Sequence, residues 1–238
     1  MKLDMLVFAV HPDDAELGCS GTILKHISLG KKVGIVDFTR GELGTRGTAE
    51  TRDEEAASSA KILGLHAREN LGFKDGFFMN DETHQLEVIR MIRKYQPEII
   101  LSNALYDRHP DHGRAGDLAY DSTFLSGLSK IKTFENGVEQ LEWRPRLLLQ
   151  YIQDYYIKPD VVIDISGFMD LKLASVKAFK TQFFNPELNE PQTYISSPEF
   201  FESTIARARE FGRTIGATYG EGFTSRKLLG VDNLFELR

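Results

Sequence analysis

Cysteine is nearly absent from this chain of 238 residues, which contains only Cys19. A single cysteine excludes an intramolecular disulfide and a zinc site built from several thiolates, so we expect a small packing residue. The chain also has few long hydrophobic runs. The N-terminal apolar segment Met5–Val10 has six residues, too few for a signal-peptide core or a membrane span. These absences predict a cytoplasmic protein without a membrane partner.

Blocks of basic residues are missing as well. The formal net charge is -6, with 41% hydrophobic and 27% charged residues, which is ordinary for a globular protein. A negative chain without a basic cluster is poorly suited to bind nucleic acid or an anionic membrane. No internal repeat, low-complexity segment or linker divides the chain, so we expect one domain covering residues 1–238. We also expect a homo-oligomer.

Short, continuously apolar runs alternate with helical patterns along the chain. The predicted strands are Met5–Val10, Val33–Phe38, Glu98–Leu101, Leu147–Ile152 and Val161–Ile165. The predicted helices are Gly21–Leu29, Ala49–Leu63, Glu82–Tyr95, Leu171–Phe179 and Phe200–Phe211. Runs that are apolar throughout indicate strands covered on both faces, as in a parallel sheet. The alternation predicts an α/β fold of three layers, a Rossmann-like and largely parallel sheet with helices on both faces.

Two similar polar stretches each follow a predicted strand: HPDD at residues 11–14 and HPDH at residues 109–112. Ligands of such sheets bind beyond the carboxyl ends of the strands, so both stretches should lie at one edge. Two imidazoles and one carboxylate can bind Zn²⁺ while leaving a position open for water. A single His-Pro-Asp also fits a capped helix start, but the repetition favours a metal site. Spacing alone leaves Asp13 and Asp14 open as the ligand.

The glycine-containing loop TRGELGTRGT at residues 39–48 is the second candidate region. It matches neither a Walker A motif nor a GxGxxG fingerprint. Arginine binds carboxylates in bidentate fashion, so this loop and the helix after it could anchor an anionic sugar substituent. Arg52 could instead pair with Glu55 on its own helix. A tyrosine in the proline-containing segment NEPQTYISSPE is a candidate lid residue. The predicted substrate-binding residues are Glu42, Arg46, Arg52 and Tyr194.

The polar motifs also resemble those of a known family. VHPDDAELGCSGTI and RHPDHGRAGDLAY are similar to the two motifs of the LmbE-like zinc de-N-acetylases, which include N-acetylglucosaminyl-phosphatidylinositol and mycothiol-pathway deacetylases. The segments VDFTRGELGTRGTAETRDEEAASSAKILGL and RENLGFKDGFF resemble the bacillithiol-pathway branch, and YGEGF extends the resemblance to the C-terminal part. Ala15 and Ser20 depart from the usual pattern, and neither is a proposed ligand.

This resemblance implies a site and a reaction. One zinc ion per chain, with Fe²⁺ as the alternative ion in the cell, would be held by His11, Asp14 and His112. Asp13 would be the general base on the metal-bound water. His109 would be the general acid or oxyanion partner, oriented by Asp111. The implied reaction is hydrolysis of an N-acetylglucosamine conjugate, best N-acetylglucosaminyl malate, to acetate and the glucosamine conjugate. A general N-acetylglucosamine or chitooligosaccharide deacetylase is the alternative.

Proteins of other classes share parts of these patterns. A non-haem Fe(II) oxygenase also uses two histidines and one carboxylate, but such enzymes commonly have all-β double sheets. HPD is the signature of co-chaperone J-domains, where it lies between two helices rather than after a strand. A nucleotide-binding module would need a glycine fingerprint that this chain lacks. The alternation of strands and helices therefore favours the deacetylase.

Overall fold

The structure is a computed structural model that describes residues 1–183, 185 and 190–237. Its strands are β1 (Met5–Ala9), β2 (Val33–Thr39), β3 (Ala67–Phe73), β4 (Ile99–Ser102), β5 (Phe134–Glu135), β6 (Val138–Glu139), β7 (Leu147–Tyr151), β8 (Val161–Asp164) and β9 (Gly220–Thr224). Its helices are α1 (Asp14–Ser28), α2 (Ala49–Leu63), α3 (Glu82–Tyr95), α4 (Pro110–Leu125), α5 (Met169–Lys177) and α6 (Pro198–Thr214). Within the described ranges, no helix is both long and apolar enough to cross a membrane.

Seven strands form the central sheet in the order β3-β2-β1-β4-β7-β9-β8. The first five run parallel, and β9 pairs antiparallel with both β7 and β8. The five strands predicted from apolar runs all occur within one residue of their expected bounds. The sheet confirms the predicted Rossmann-like α/β fold, and it differs from the all-β architecture expected of an Fe(II) oxygenase.

Alternate side chains of β1 enter two different layers of the core. Leu6 and Phe8 pack in the cluster that contains residues of α3 and α4. Val7 and Ala9 pack in the cluster that contains residues of α1, including the fully buried Cys19. Both faces of the strand are therefore covered, which explains why its sequence is continuously apolar. Cys19 is a packing residue, as predicted.

Three elements of the sheet region differ from the sequence expectation. The strand β3 was missed because it is a half-exposed edge strand that carries charged residues. The strand β9 was missed because its sequence GEGFT contains two glycines and a glutamate, which are rare in strands. The helix α4 begins inside the second HPD motif and has no counterpart among the predicted helices. The segment 181–198, where no helix or strand was predicted, lies partly outside the described residues.

The helix α1 begins seven residues before the predicted start at Gly21 because it consists of two helical pieces. Cys19 interrupts it with non-helical backbone angles, φ -148° and ψ 15°. The second piece begins close to the predicted start. The first piece is a short turn that begins at Asp14, directly after the HPD residues. The chain therefore uses a separate helical turn to present the first motif.

A buried ion pair fills the break in α1. The Glu221 carboxylate accepts hydrogen bonds from the N–H groups of Gly21 (2.9 Å) and Thr22 (2.7 Å), which begin the second piece. Lys172 Nζ donates to Glu221 Oε1 (2.8 Å) and to the carbonyl groups of Glu16 (3.0 Å) and Leu17 (2.7 Å), which end the first piece. Free N–H and C=O groups at helix ends are costly when buried. The pair thus stabilises the break and ties α1 to α5 and β9.

A second buried network joins β2, β3 and α1. Arg68 donates to Glu16 Oε1 (2.6 Å) and makes two bonds to Asp37 (2.8 and 3.1 Å). Ser59 adds a bond to the same Glu16 oxygen at 2.6 Å. Burial raises the pKa of Asp37 to about 6, against the lowering effect of the Arg68 charge. Arg68 therefore balances two buried carboxyl groups next to the turn that carries the first HPD motif.

Replacing this arginine should be strongly destabilising. Arg68→Met leaves Glu16 and Asp37 without their cation, and we expect a loss of about 3–5 kcal/mol in the free energy of unfolding at pH 8. The matched change Arg90→Met removes a more exposed arginine that pairs with Glu87 at 2.8 Å and Glu135 at 2.7 Å. It should cost at most about 1 kcal/mol. Urea denaturation of both variants measures the difference.

The deficit of Arg68→Met should also depend on pH. The folded pKa of Asp37 lies above the value of about 3.9 expected for an unfolded chain, so the folded state holds this proton more tightly. Folding is then favoured as the pH falls through about 6. Without Arg68 the upward shift grows, and the deficit should shrink between pH 8 and pH 5. Equal losses for the two variants, or a deficit independent of pH, would contradict this role.

Candidate active site

The polar residues of the two HPD motifs meet at the carboxyl edge of the parallel strands. Loops after β1, β3, β4 and β7 contribute side chains to one cavity of about 300 Å³. His11, His109 and His112 lie together there, with ring centroids 4.8 to 5.7 Å apart. This juxtaposition is the one predicted from the repetition of the motif at two strand ends.

Each of two histidines has one ring nitrogen held by a carboxylate. His11 Nε2 lies 3.0 Å from Asp75 Oδ1, and His112 Nδ1 lies 2.5 Å from Asp107 Oδ2. Burial works in the opposite direction, but the hydrogen bonds to His11 and His112 hold the pKa values of Asp75 and Asp107 below their usual range. Ionised carboxylates can only accept hydrogen bonds, so these two ring nitrogens donate. The other nitrogen of each ring then faces the centre of the site.

The two remaining nitrogens converge on Asp14. His11 Nδ1 lies 3.5 Å from Asp14 Oδ2, and His112 Nε2 lies 3.2 Å from Asp14 Oδ1. The amide groups of Asn103 and Gln153 donate to the same carboxylate at 3.1 and 3.0 Å. Asp14 is buried and fixed by four different side chains. It therefore lies where a carboxylate shared between two imidazoles is expected.

The charges of the site reinforce one another. Burial alone would raise the pKa of Asp14. The charge of His112 and hydrogen bonds with both histidines nevertheless hold this pKa well below its usual range. Burial would lower the pKa of each histidine, yet hydrogen bonds and charges from Asp14, Asp75 and Asp107 raise the pKa of His11 to about 10 and that of His112 to about 9. The carboxylates around the two imidazole rings thus stabilise positive charge at those rings.

His109 has different surroundings and is suited to a different task. It caps α4, where its Nδ1 accepts a hydrogen bond from the backbone N–H of Asp111 at 3.3 Å. Burial, followed by the nearby His11 and His112 charges, lowers the pKa of His109. A neutral ring that accepts at Nδ1 carries its proton on Nε2. His109 is therefore suited to donate a hydrogen bond to a ligand, which corresponds to the oxyanion partner among its two predicted roles.

Asp111 contacts His109 through its backbone, and its carboxylate binds other groups. Asp111 Oδ2 accepts from the backbone N–H of Gly76 at 2.9 Å, and Oδ1 accepts from Arg114 at 2.8 Å. Oδ2 also lies 3.8 Å from His11 Nε2. Asp111 thus connects α4 to the loop after β3 and fixes the cap that holds the His109 ring.

Asp13 is held in a strained backbone conformation with φ 139° and ψ -22°. Its carboxylate is buried and lies 3.1 Å from Arg52 Nη2, which also donates to the Pro12 carbonyl at 2.5 Å. Burial raises the pKa of Asp13 to about 7, against the lowering effect of the Arg52 charge. A carboxyl group with a pKa near neutrality is matched to general base catalysis. Its predicted role as the base is compatible with this position.

Two groups among the described residues have ligand atoms close enough to hold a metal ion. One is His11, His109 and His112, and the other is His11, Asp75 and Asp111. The second group uses His11 Nε2, which is the nitrogen that already donates to Asp75. The first shares two members with the predicted set of His11, Asp14 and His112. We favour Asp14 over His109 because its ionised oxygens face both imidazoles, whereas His109 carries a proton on Nε2.

The substrate-binding predictions for the glycine-containing loop need correction. Arg46 is only 5% exposed, lies 3.4 Å from Glu190, and is not among the described residues that line the cavity. Glu42 accepts hydrogen bonds from the backbone N–H groups of Asp75 and Arg40, so it organises two loops instead of facing a ligand. The Arg46 side chain turned inward, where Glu190 is its partner, and composition cannot reveal such a contact.

Arg52 lines the cavity, but its partner differs from both expectations. It binds the HPD segment and not Glu55, which accepts hydrogen bonds from Thr181 instead. Gly41 makes this position accessible. It has φ 64°, and a Cβ atom there would approach the Arg52 guanidinium carbon to 3.0 Å. A substrate contact by Arg52 stays a prediction.

Tyr194 is not among the described residues that line the cavity, but it contacts two residues that do. Its hydroxyl group donates to Asp154 Oδ1 at 3.1 Å, and its ring lies 4.5 Å from the guanidinium of Arg108. Arg108 also binds Asp154 at 3.1 Å, and both residues line the cavity. The role of Tyr194 as a lid residue stays a prediction. Arg108 is the rim cation that sequence analysis missed.

Several other residues of the site were missed, and their signals differ. Asp107 stands two residues before the HPDH motif and was visible as an acidic residue after a predicted strand. Asp75 stands in RENLGFKDGFF, but the strand before it was not predicted. Gln153, like Asp107, follows a predicted strand. Lys172 and Glu221 gave no such signal, because their contacts join segments far apart in the chain.

Comparison with known proteins agrees with the motifs. The family described as PIG-L, GlcNAc-PI de-N-acetylase, matches residues 6–123. The diacetylchitobiose deacetylase of Thermococcus kodakarensis is 31% identical over 92% of this chain and 81% of its own length. This chain belongs to the de-N-acetylase family. It is an enzyme, a hydrolase of amide bonds.

Two further relatives of this de-N-acetylase show the range of similarity. The crystal structure of the conserved protein TT1542 from Thermus thermophilus is 36% identical, with a TM-score of 0.85 over 97% of this chain and 98% of that one. The probable N-acetyl-alpha-D-glucosaminyl L-malate deacetylase 2 of Bacillus subtilis is 24% identical over 76% of this chain and 84% of its own length. The fold is thus shared over nearly its whole length with a solved relative.

The strain at Asp13 predicts an unusual response to glycine. Asp13→Gly and Asp13→Ala both remove the carboxylate, so their difference isolates the backbone. Glycine adopts φ 139° freely, and we expect Asp13→Gly to be more stable than Asp13→Ala by about 1–3 kcal/mol.

The same pair of changes at Asp53, inside α2, should give the opposite order by about 1 kcal/mol. Thermal or urea unfolding of the four variants provides the comparison. If alanine is the more stable replacement at both positions, the conformation of Asp13 is not strained.

Proposed function

We propose that this de-N-acetylase removes the acetyl group from an N-acetylglucosamine conjugate, using a divalent cation bound by His11, Asp14 and His112. The observation that carries the proposal is the convergence of one imidazole nitrogen from each histidine on the Asp14 carboxylate. A buried base and a neutral histidine donor flank that point. A cation site, a general base and a hydrogen-bond donor are the groups that hydrolysis of an unactivated amide requires.

The donor set fits a divalent cation, with zinc as our choice and Fe²⁺ as the alternative. The outer nitrogens of His11 and His112 are bound to Asp75 and Asp107, as is usual for metal-ligating histidines. The inner nitrogens lie 3.5 and 3.2 Å from Asp14 oxygens, so lone pairs oppose each other unless a positive charge lies between them. Two added protons would supply that charge, and so would one dication shared by two neutral rings and a carboxylate.

The residues of the chain divide the reaction between them. A cation in the site would polarise the amide carbonyl and acidify a water molecule. Asp13 accepts the proton of the attacking water, with its carboxylate fixed by Arg52. The His109 Nε2–H donates to the carbonyl oxygen as negative charge develops there. The amide nitrogen must be protonated before the C–N bond breaks, and the proton gained by Asp13 is available for it. Acetate and a free amine result.

The aglycone of the sugar is the finer part of the proposal. The anionic aglycone, malate, was predicted from Arg46 and Arg52. Arg46 is not among the described residues that line the cavity, and Arg52 lines it with one nitrogen bound to the Asp13 carboxylate. Arg108 and Arg207 remain at the cavity wall, and the Bacillus relative named as a malate deacetylase supports the same substrate. The Thermococcus relative named as a diacetylchitobiose deacetylase supports a second sugar instead. The Tyr194 ring beside Arg108 offers an aromatic surface for that sugar.

An amine-release assay tests this function. We expect the metal-loaded protein to deacetylate N-acetylglucosaminyl malate with a higher kcat/KM than diacetylchitobiose or free N-acetylglucosamine. Arg108→Ala should reduce the preference for malate about 10- to 100-fold, the value of a charged hydrogen bond. Arg226→Ala, which removes an arginine paired with Asp117, is the control and should keep the preference.

The outcomes separate the parts of the proposal. A higher rate on diacetylchitobiose would replace malate by a second sugar and retain the reaction. Absence of amine release from every N-acetylglucosamine derivative would reject the function.

Metal content should follow the proposed division between ligands and base. In protein purified without added metal, His112→Ala should abolish zinc binding, whereas Asp13→Ala should retain zinc and lose turnover. Asp107→Ala should weaken zinc affinity by about 10- to 100-fold, because the imidazole ring of the ligand His112 is then no longer fixed by a carboxylate. Elemental analysis and competition with a chelator measure these effects. If Asp13→Ala removes the metal and Asp14→Ala does not, the two aspartates have exchanged roles.

A further inference from the structure

The active-site cavity has two parts of different chemistry. Its rim is polar and partly exposed, with charged and hydroxyl groups from Arg108, Asp154, Ser203, Thr204 and Arg207. Its inner part is walled by Leu17, Ile152, Ala208 and Phe211, which we call the apolar chamber. Ile152, Ala208 and Phe211 are no more than 4% exposed. A ligand bound here therefore meets polar groups on one side and hydrocarbon on the other.

The apolar chamber begins next to the reacting groups. Gln153, which donates to Asp14 at 3.0 Å, directly follows Ile152. Leu17 lies three residues after Asp14 on the same short helical turn, so the two side chains share a face. Leu17 and Ile152 thus connect the reacting groups to the apolar lining of the cavity.

Lys172 and Glu221 also line the cavity, and each of their charged side-chain atoms already has a partner. Lys172 Nζ donates to three oxygens, those of Glu16, Leu17 and Glu221, at 2.7 to 3.0 Å. The Glu221 oxygens accept from two backbone N–H groups as well. An ammonium group has three hydrogens, so Lys172 has none left for a ligand. The chamber offers hydrocarbon contacts and no free hydrogen-bond donor from this pair.

The two sides of an N-acyl amino sugar partition between these environments. A sugar hydroxyl group buried in the chamber without a partner would cost about 1–3 kcal/mol. An alkyl group buried there gains about 0.8 kcal/mol for each methylene. The sugar is thus directed to the rim, and the acyl substituent to the chamber.

We propose that the apolar chamber is an acyl-binding subsite that accepts chains longer than acetyl, so that N-propionyl and N-butyryl amides of the same sugar are also substrates. This inference rests on the proposed deacetylase function and adds the acyl class to it. The chamber joins α1 and α6 across the active site, and its size is set by small side chains such as Ala208. Acyl selectivity is then a property of the walls that α1 and α6 supply, apart from the groups that perform hydrolysis.

Kinetics on a matched acyl series test the subsite. The metal-loaded wild-type protein would be assayed with N-acetyl, N-propionyl and N-butyryl derivatives of one glucosamine conjugate. We expect kcat/KM to rise with each added methylene by up to about fourfold, the value of one buried methylene. If the cavity wall closed just beyond the acetyl methyl group, kcat/KM for the propionyl compound would be lower than for the acetyl compound by about 10-fold or more.

A fall of more than about threefold from acetyl to propionyl would overturn the subsite while leaving the deacetylase function intact. Hydrolysis of none of the three compounds would reject that function. The subsite is then judged by binding alone, because the affinity for acetate, propionate and butyrate can be measured by calorimetry without turnover. An affinity that does not increase along this series would overturn the subsite.

Two alanines on α6 provide a matched pair of variants. Ala208→Leu narrows the chamber and should lower the propionyl-to-acetyl ratio of kcat/KM at least about 10-fold. Ala206→Leu makes the same change on the exposed side of the helix and should keep the wild-type ratio. Because Ala208 is buried, Leu17→Phe serves as a second narrowing variant at a half-buried position. A wild-type ratio in a folded Ala208→Leu or Leu17→Phe protein would contradict the subsite.

Discussion

The ionised Asp14 carboxylate between two imidazoles is the constraint on which the site depends. Its pKa stays low although it is buried, because positive charge is held on both sides of it. The outer nitrogens of His11 and His112 are fixed by Asp75 and Asp107, so neither ring can turn without losing a charged hydrogen bond. Four segments that end different strands are thereby locked around one carboxylate. The negative charge of Asp14 is balanced by positive charge at the two rings, which two protons or one bound cation would supply.

The backbone that carries Asp14 is unfavourable by itself and is stabilised from a distance. Asp13 has a left-handed φ, and the helix after it breaks at Cys19 only one turn later. Lys172 and Glu221 satisfy the helix ends at this break, although both charges are buried. Buried charges contribute little net stability when paired. Lys172 and Glu221 instead fix the backbone of the short helical turn. That turn directs the Asp13 side chain to Arg52 and the Asp14 side chain to the two histidines.

Sequence patterns predicted the parts of the fold that rest on local signals. Continuously apolar strands and the repeated HPD motif gave the sheet and the meeting point of the histidines. The apolar pattern did not predict β9, because glycine is unusual in strands. Gly220 and Gly222 occur there because neighbouring atoms leave no room for a Cβ atom. The sequence pattern also failed for Arg46, because the loop folds this side chain toward Glu190. Contacts between distant segments decide such positions, and a single sequence does not reveal them.

The family match and the cavity wall formed by α6 cover different parts of this chain. The family match over residues 6–123 contains both HPD motifs, together with Asp75 and Asp107. The cavity wall formed by α6, including Arg207 and Ala208, lies beyond that range. Arg52 binds the Asp13 carboxylate, and Arg108 and Arg207 are further cations at the cavity wall. The residues proposed to select the sugar and the acyl group therefore come from two sources, the matched range, which contains Arg108 and Leu17, and α6 beyond it.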